Sequence, residues 1–156
     1  MGPPPDAVAR LRLIRSDNIG PVTYFQLLAR FGSAQAAIDA IPDLAARGGG
    51  RAPKLAAVVQ VEREIAEVEQ LGARYLFLGQ GLYPALLAEL ESAPTAAEAD
   101  ERTRRIVTDL LGPTPVPIDE IVRQAGRSPA EVQTILLELE LAGRLERHAG
   151  GRVSLV

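Results

Sequence analysis

The sequence predicts a mainly α-helical protein, with an N-terminal helical bundle of the helix-hairpin-helix kind followed by a C-terminal winged-helix domain that carries a small β-hairpin. Three observations predict this fold. Apolar residues recur at helical spacing between residues 6 and 71. The run SAPTAAEAD, Ser92 to Asp100, is small and polar and has no apolar stripe, which is typical of a linker. Beyond the linker, the order is helix, helix, turn, helix and hairpin.

Glycines and prolines divide the N-terminal half into helices. Gly32 favours a left-handed cap that ends the second helix, and Pro42 fits the first turn of a new helix. We expect the three glycines from Gly48 to Gly50 to form a flexible break. The predicted helices are Asp6 to Arg15, a second that starts after Gly20-Pro21 and stops at Gly32, Ala34 to Ala40 capped by Ser33, a turn or two from Pro42, and Pro53 to Leu71.

A short aromatic run follows the last of these helices. Tyr75 to Leu78 is apolar and is flanked by glycines, which predicts one β-strand. A single strand is marginal in water, so we expect this one to belong to a neighbouring sheet in a longer parent protein. We therefore predict three regions: a helical domain over residues 1–73, a strand and Tyr-Pro segment over 74–94, and a winged-helix domain over 95–156.

The C-terminal region has clear helix boundaries. Ser128 and Glu131 have the spacing of a capping box, with a proline at the first helical position between them. Gly150 and Gly151 tolerate the positive φ of a tight hairpin. The predicted elements are helices over Arg102 to Leu111, Ile118 to Gln124 and Pro129 to Ala142, then strands over Arg144 to Ala149 and Arg152 to Val156.

Composition excludes most kinds of catalytic site. The chain has no cysteine and a single histidine, His148, so it has neither a disulfide framework nor the ligands of a Cys/His zinc site. No Ser, Cys or carboxylate has a spacing that recruits this histidine as a base. We therefore predict no catalytic residue, no metal and no cofactor, and hence no enzyme.

Location and charge limit the partners. The N-terminal sequence MGPPPDAVARLRL lacks an apolar signal core, and no run is long enough to span a bilayer, so we predict a cytoplasmic protein with no membrane partner. The formal net charge is −3. Because phosphate neutralisation needs a basic surface, any contact with DNA is expected to be local.

The segment NIGPVT between the first two helices resembles the hairpin of helix-hairpin-helix proteins, which directs backbone amides at a DNA phosphate. Asn18 stands where that hairpin usually has its first glycine, and asparagine also tolerates the left-handed conformation. The candidate DNA-binding residues here are Asn18, Gly20 and Thr23, flanked by Arg15 and Arg30. The other interpretation, a helix connector packed inside the bundle, is favoured.

The third helix of the winged-helix domain normally enters the major groove of duplex DNA. We predict that its positions outside the core include Glu131, Gln133, Thr134, Glu138 and Glu140. They include no lysine or arginine, so we expect the helix to repel the phosphate backbone. Arg147 and Arg152, with Arg144, are candidate phosphate contacts on the hairpin. A protein-binding or self-packing winged helix is favoured over a duplex reader.

Three stretches carry a resemblance to the DNA-processing A (DprA/Smf) family. The N-terminal run LRLIRSDNIGPVTYFQLLARFGSAQAAI resembles its sterile-alpha-motif-like (SAM-like) domain. The stretch GARYLFLGQGLYPALLAELESAP is similar to the approach to its central domain, and the run from LLGPTPVPIDEIV to the end is similar to its winged-helix tail. The two flanking modules stand in the family's order. The sequence passes from Ala93-Pro94 to Thr95 without the family's Rossmann-like core.

The resemblance implies a role in natural transformation and competence. Intact members bind single-stranded DNA and load the RecA recombinase for DNA recombination, chiefly through the central domain that this sequence lacks. No binding residue of that core can be assigned here. Two functions therefore stay open: a DNA-handling protein that carries only the flanking modules, and a protein-protein interaction module with no DNA binding of its own.

Overall fold

The computed structural model describes residues 6–77 and 99–156. The predicted linker up to residue 98, Leu78 and the Tyr83-Pro84 segment lie outside the described residues. The chain forms two compact units. The N-terminal unit comprises Met1–Ile38 and Lys54–Ala93, and the C-terminal unit comprises Asp39–Pro53 and Pro94–Val156. The unit boundary therefore falls within a helix, whereas the boundaries predicted at 73 and 94 stay predictions.

The N-terminal unit is helical, as predicted. Helices α1 and α4 pack together around a small core in which Leu11, Val61 and Ile65 are buried. Gly32 ends α2 in the left-handed conformation, with φ 74°, which confirms its predicted capping role. The first four helices of the chain are α1 Ala7–Ile14, α2 Pro21–Phe31, α3 Ala34–Arg47 and α4 Val58–Gln70.

Helix α3 continues through Pro42, so the prediction of two short helices was wrong. Proline lacks the amide hydrogen that the helix uses at that position, which normally disfavours an interior proline. Here Ile38, Ile41 and Leu44 lie at helical spacing on one side, and all three are buried. Their burial favours one continuous helix over a break.

Helix α4 begins at Val58 and not at the predicted Pro53. The preceding residues use their backbone groups in contacts with the end of α1. The Asp17 N–H donates to the Lys54 carbonyl at 3.2 Å, and the Ala56 N–H donates to Ser16 Oγ at 3.0 Å. The guanidinium of Arg12 donates to the Ala56 carbonyl. These tertiary hydrogen bonds replace the helical ones that the apolar periodicity predicted.

The predicted strand at Tyr75 to Leu78 is wrong over its described residues, since 75–77 are not in a strand. Phe77 is instead buried against the α1 and α4 core, and its ring stacks with that of Tyr75 at 6.1 Å between centroids. The guanidinium of Arg10 lies over the Phe77 ring. Within the described residues, the N-terminal unit offers no strand with which this segment could pair. Burial of the Phe77 ring therefore holds residues 75–77 against α1 and α4.

The C-terminal unit contains the predicted winged helix. Its elements are α5 Glu101–Asp109, β1 Val116–Pro117, α6 Ile118–Ala125, α7 Pro129–Leu141, β2 Leu145–His148 and β3 Arg152–Leu155. The strands form an antiparallel sheet in the order β1-β3-β2. Strand β1 was not predicted, because two residues are too few to show a period. It pairs with β3 through Val116 opposite Val153.

Residues 39–53 belong to the C-terminal unit together with the winged helix. They include the second half of α3 and the three glycines that follow it. Buried side chains from α5, α6, α7 and the hairpin form the core of the winged helix, among them Val107, Ile121, Ile135 and Val153. No helix in the part of the chain that is described is both long and apolar enough to cross a membrane.

Candidate nucleic-acid interface

The connection between α1 and α2 contains a residue other than glycine in the left-handed conformation. Asn18 has φ 58°, the left-handed conformation predicted for it. Ile19 is buried, so it anchors the connection to the bundle, whereas Asn18 is exposed. Gly20 is extended, with φ −83° and ψ 179°, and is the residue that precedes the first turn of α2.

The N-terminal end of α2 is open. Pro21 occupies the first helical position, and no side chain of the cap residue accepts a hydrogen bond there, because that residue is Gly20. A Cβ added to Gly20 would meet nothing within 4 Å. Internal packing therefore does not require glycine at this position. The missing side chain leaves free approach to a helix end whose partial charge is positive.

The arginines predicted to flank the hairpin already make contacts within the protein. Arg15 donates to both carboxylate oxygens of Glu64, at 3.2 and 2.6 Å, and its side chain is 49% exposed. Hydrogen bonds from Arg15 and then from the hydroxyl of Tyr75 lower the pKa of Glu64. The guanidinium of Arg30 lies 5.8 Å from the centroid of the Phe31 ring. Thr23, the third hairpin candidate, is fully buried.

The two arginines predicted on the hairpin of the winged helix are placed differently from each other. Arg147 donates to Glu140 at 2.8 Å, and its side chain is only 17% exposed. Arg152 is exposed on β3, opposite His148, next to the turn that Gly150 and Gly151 form with positive φ. Of the two, only Arg152 presents an exposed side chain to solvent.

Helix α7 differs from its prediction at the polar positions. The capping box is confirmed, with Ser128 Oγ accepting from the Glu131 N–H and the Glu131 carboxylate accepting from the Ser128 N–H. Thr134, Glu138 and Glu140, however, were predicted as surface positions and are buried. Hydrophobic periodicity could not show this, because the residues that cover α7 lie far away in the sequence.

An ion pair missed by the sequence reasoning accounts for the buried glutamate. Arg104 donates to Glu138 at 2.6 Å, and the two side chains are 14% and 2% exposed. Arg47 lies 3.9 Å from the other carboxylate oxygen of Glu138. The pair joins α5 to α7 across 34 residues, so no local spacing could indicate it. Among the described residues, no group of three His, Cys, Asp or Glu could hold a metal ion.

Comparison with protein families agrees with this architecture. Residues 4–66 match the DprA-like N-terminal HHH domain, and residues 85–151 match the DprA winged helix domain. No curated protein matches the sequence. Residues 67–84 are all that separates the two matched ranges, and they are too few for a further domain. Two different domains match in the order that the resemblance predicted. The chain therefore belongs to the DprA family, with both flanking domains and without the central one.

Proposed function

We propose that this chain is a non-enzymatic cytoplasmic DNA-processing protein that contacts single-stranded DNA through the α1–α2 hairpin. The observation that carries the proposal is the open N-terminal end of α2, where Gly20 has neither a capping side chain nor an internal reason to be glycine. Membership of the DprA family supports a role in DNA handling. The left-handed Asn18 supports it further, because it turns the chain toward the helix end.

The chemistry of the contact is that of one phosphate at a helix N-terminus. Backbone amides of the first turn point out of α2, and the helix dipole favours an anion there. Asn18 and Gly20 line this approach, and Arg152 offers a separate exposed cation on the C-terminal unit. With a formal net charge of −3, the chain has no general attraction for DNA. We therefore expect weak binding that depends on salt.

Single strands are favoured over duplexes by the state of the winged helix. At the start of α7, Ser128 Oγ already accepts from the Glu131 N–H, and the Glu131 carboxylate accepts from the Ser128 N–H. Three of the polar side chains predicted to face the groove, including Glu138, are buried. In this proposal, RecA is the family partner that receives the strand, and the hairpin only holds the strand during transfer.

The test is a fluorescence-anisotropy titration with labelled single-stranded and duplex oligonucleotides at low and physiological salt. Gly20→Glu places a carboxylate at the proposed phosphate position, and Gly112→Glu is the matched control, since a Cβ there also meets nothing within 4 Å. We expect Gly20→Glu to weaken single-strand binding by about tenfold, which corresponds to one charged contact. Gly112→Glu should leave it unchanged. Equal affinities for both variants would refute the hairpin contact.

The second candidate function is a protein-interaction module with no DNA binding of its own. It is favoured by the engagement of Arg15 with Glu64 and of Arg147 with Glu140, which occupies two of the predicted phosphate ligands. The same titration decides between the two functions. Absence of single-strand binding at both salt concentrations would support the interaction module, whereas saturable, salt-sensitive binding would support the DNA-handling protein.

A further inference from the structure

Helix α7 buries two opposite faces. Its inner face belongs to the winged-helix core and consists of Val132, Ile135, Leu136 and Leu139. A second set of buried residues, here called the outer face, consists of Thr134, Leu137, Glu138 and Leu141. At about 100° per residue, the centres of the two faces lie roughly 160° apart around the helix. A winged helix that reads duplex DNA keeps this outer face free for the major groove.

The glycine segment at the end of α3 lies directly against α7. A Cβ on Gly48 would stand 2.2 Å from the carbonyl oxygen of Glu138, and one on Gly50 would stand 2.3 Å from that of Ala142. Only glycine permits so close an approach of two backbones. These glycines were predicted to be a flexible break, and the structure shows instead that they form a packed contact.

Polar contacts hold the same segment in place. Arg144, at the end of α7, donates to the Gly48 carbonyl at 2.9 Å. Arg47 lies beside the buried carboxylate of Glu138, which Arg104 neutralises from the other side. The contact thus combines two backbone approaches, a hydrogen bond and a shared carboxylate. All of these residues belong to the C-terminal unit.

We infer that the C-terminal half of the outer face of α7 is a docking site for the Arg47–Gly50 segment of its own chain, and that this docking keeps that half of the helix out of the major groove of duplex DNA. The recognition surface of the fold is used here for an intramolecular contact. Single-strand binding by the α1–α2 hairpin is not needed for it. The docked segment supplies the small residues and the arginine that fit a helix face bearing a buried carboxylate.

Thiol labelling tests the docking, because the chain contains no cysteine. A Leu141→Cys reporter lies on the outer face, next to Ala142, which the glycine segment contacts, and a Val132→Cys reporter lies on the inner face. Both should react slowly with a maleimide in the otherwise unchanged chain. Gly48→Val should undock the segment and speed labelling at the Leu141→Cys reporter by about tenfold, with less than about a twofold change at Val132→Cys. Gly112→Val is the control, because a Cβ at Gly112 would meet nothing within 4 Å. It should change neither labelling rate.

Several outcomes would overturn the docking. Fast labelling of Leu141→Cys in the unchanged chain would mean that this part of the outer face is open. Equal acceleration of both reporters by Gly48→Val would mean general unfolding and no separable contact. Labelling that slows as protein concentration rises would mean that a second copy supplies the covering segment. Slower labelling on addition of duplex oligonucleotide would mean that the groove-reading face is in use.

A milder variant keeps the test valid if Gly48→Val does not fold. Arg47→Ala removes only the arginine beside Glu138, and that side chain is 55% exposed, so the fold is expected to survive. It should speed labelling of Leu141→Cys by about threefold and leave Val132→Cys unchanged. No change at either reporter would count against the docking.

Discussion

Helices α2 and α7 both have a proline in the first helical position, but their N-terminal ends are satisfied in different ways. In α2 the preceding residue is Gly20, which has no side chain with which to cap the helix. In α7 the preceding residue is Ser128, which forms a complete capping box with Glu131. One end is open to an external acceptor, and the other supplies its own. The fold name alone would have assigned DNA binding to α7, whereas the local chemistry favours α2.

The same contrast holds for what surrounds each helix. The first turn of α2 follows a hairpin in which Asn18 is exposed. Val22, in that first turn, is 47% exposed. The outer face of α7 is buried along most of its length and is closed by an ion pair. Single substitutions can alter each of these differences separately.

The largest effect is expected at the buried carboxylate of α7. Glu138→Ala leaves Arg104 largely buried without its main partner, and removing one member of a buried pair typically costs about 3 kcal/mol of unfolding free energy. Urea unfolding followed by circular dichroism measures this loss. Glu146→Ala removes an exposed carboxylate on β2 and is the control, with an expected change below about 0.5 kcal/mol. Similar losses for the two variants would argue against a structural role for the Glu138 pair.

A smaller loss of unfolding free energy is expected when the capping box of α7 is removed. Ser128→Ala removes the oxygen that accepts from the Glu131 N–H, and loss of such a cap costs about 1 kcal/mol of unfolding free energy. Glu131→Gln keeps a side chain that can complete the box, so it should change stability far less. Chemical denaturation of both variants provides the measurement. If Ser128→Ala is neutral, the closed end of α7 does not depend on this cap.

Acid should weaken the ion pair between Arg15 and Glu64. Because hydrogen bonds from Arg15 and Tyr75 lower the pKa of Glu64 in the folded protein, its contribution to stability is present above the ordinary pKa of a glutamate and is lost as pH falls through the lowered folded pKa. The pair is partly exposed, so we expect less than about 1 kcal/mol.

The measurement for this pair is stability as a function of pH for the unchanged chain and for Glu64→Gln. The difference in unfolding free energy between the two should shrink as pH falls below about 4. A difference that stays constant over this range would show that the ionised carboxylate does not stabilise the fold.

The smallest change in stability converts the open end of α2 into a capped one. Gly20→Ser adds an oxygen that can accept from the first turn, and serine exceeds glycine at this position by only about 0.3 kcal/mol. Single-strand affinity should nevertheless fall, since the new side chain competes with phosphate for the same amides. Anisotropy and thermal unfolding of the same samples report both quantities. Unchanged affinity together with raised stability would separate the cap from DNA binding.

Sequence patterns predicted the parts of this fold that depend on neighbouring residues. The left-handed Asn18 and Gly32, the capping box at Ser128 and the order of the winged helix all follow from spacings of a few residues. The hairpin geometry of the candidate site was accessible for the same reason. The family resemblance came from three stretches of sequence, and it is confirmed by the matches to both flanking domains.

The features that the sequence did not reveal depend on distant contacts. Continuation of α3 through Pro42 and the late start of α4 result from tertiary burial and hydrogen bonding. The burial of Glu138 depends on Arg104 and on Gly48, which lies 90 positions earlier in the numbering. Helical periodicity assigned this glutamate to the surface because it describes one packed face, and α7 has two.

Amide chemical shifts followed by NMR during titration with a single-stranded oligonucleotide test the central claim most directly, since they report on both helix ends in one sample. We predict that the amides from Asn18 to Tyr24 shift with a common saturation curve, whereas those from Ser128 to Val132 at the start of α7 do not. Shifts confined to α7, with the α2 end unaffected, would contradict the assignment of DNA contact to the open helix end.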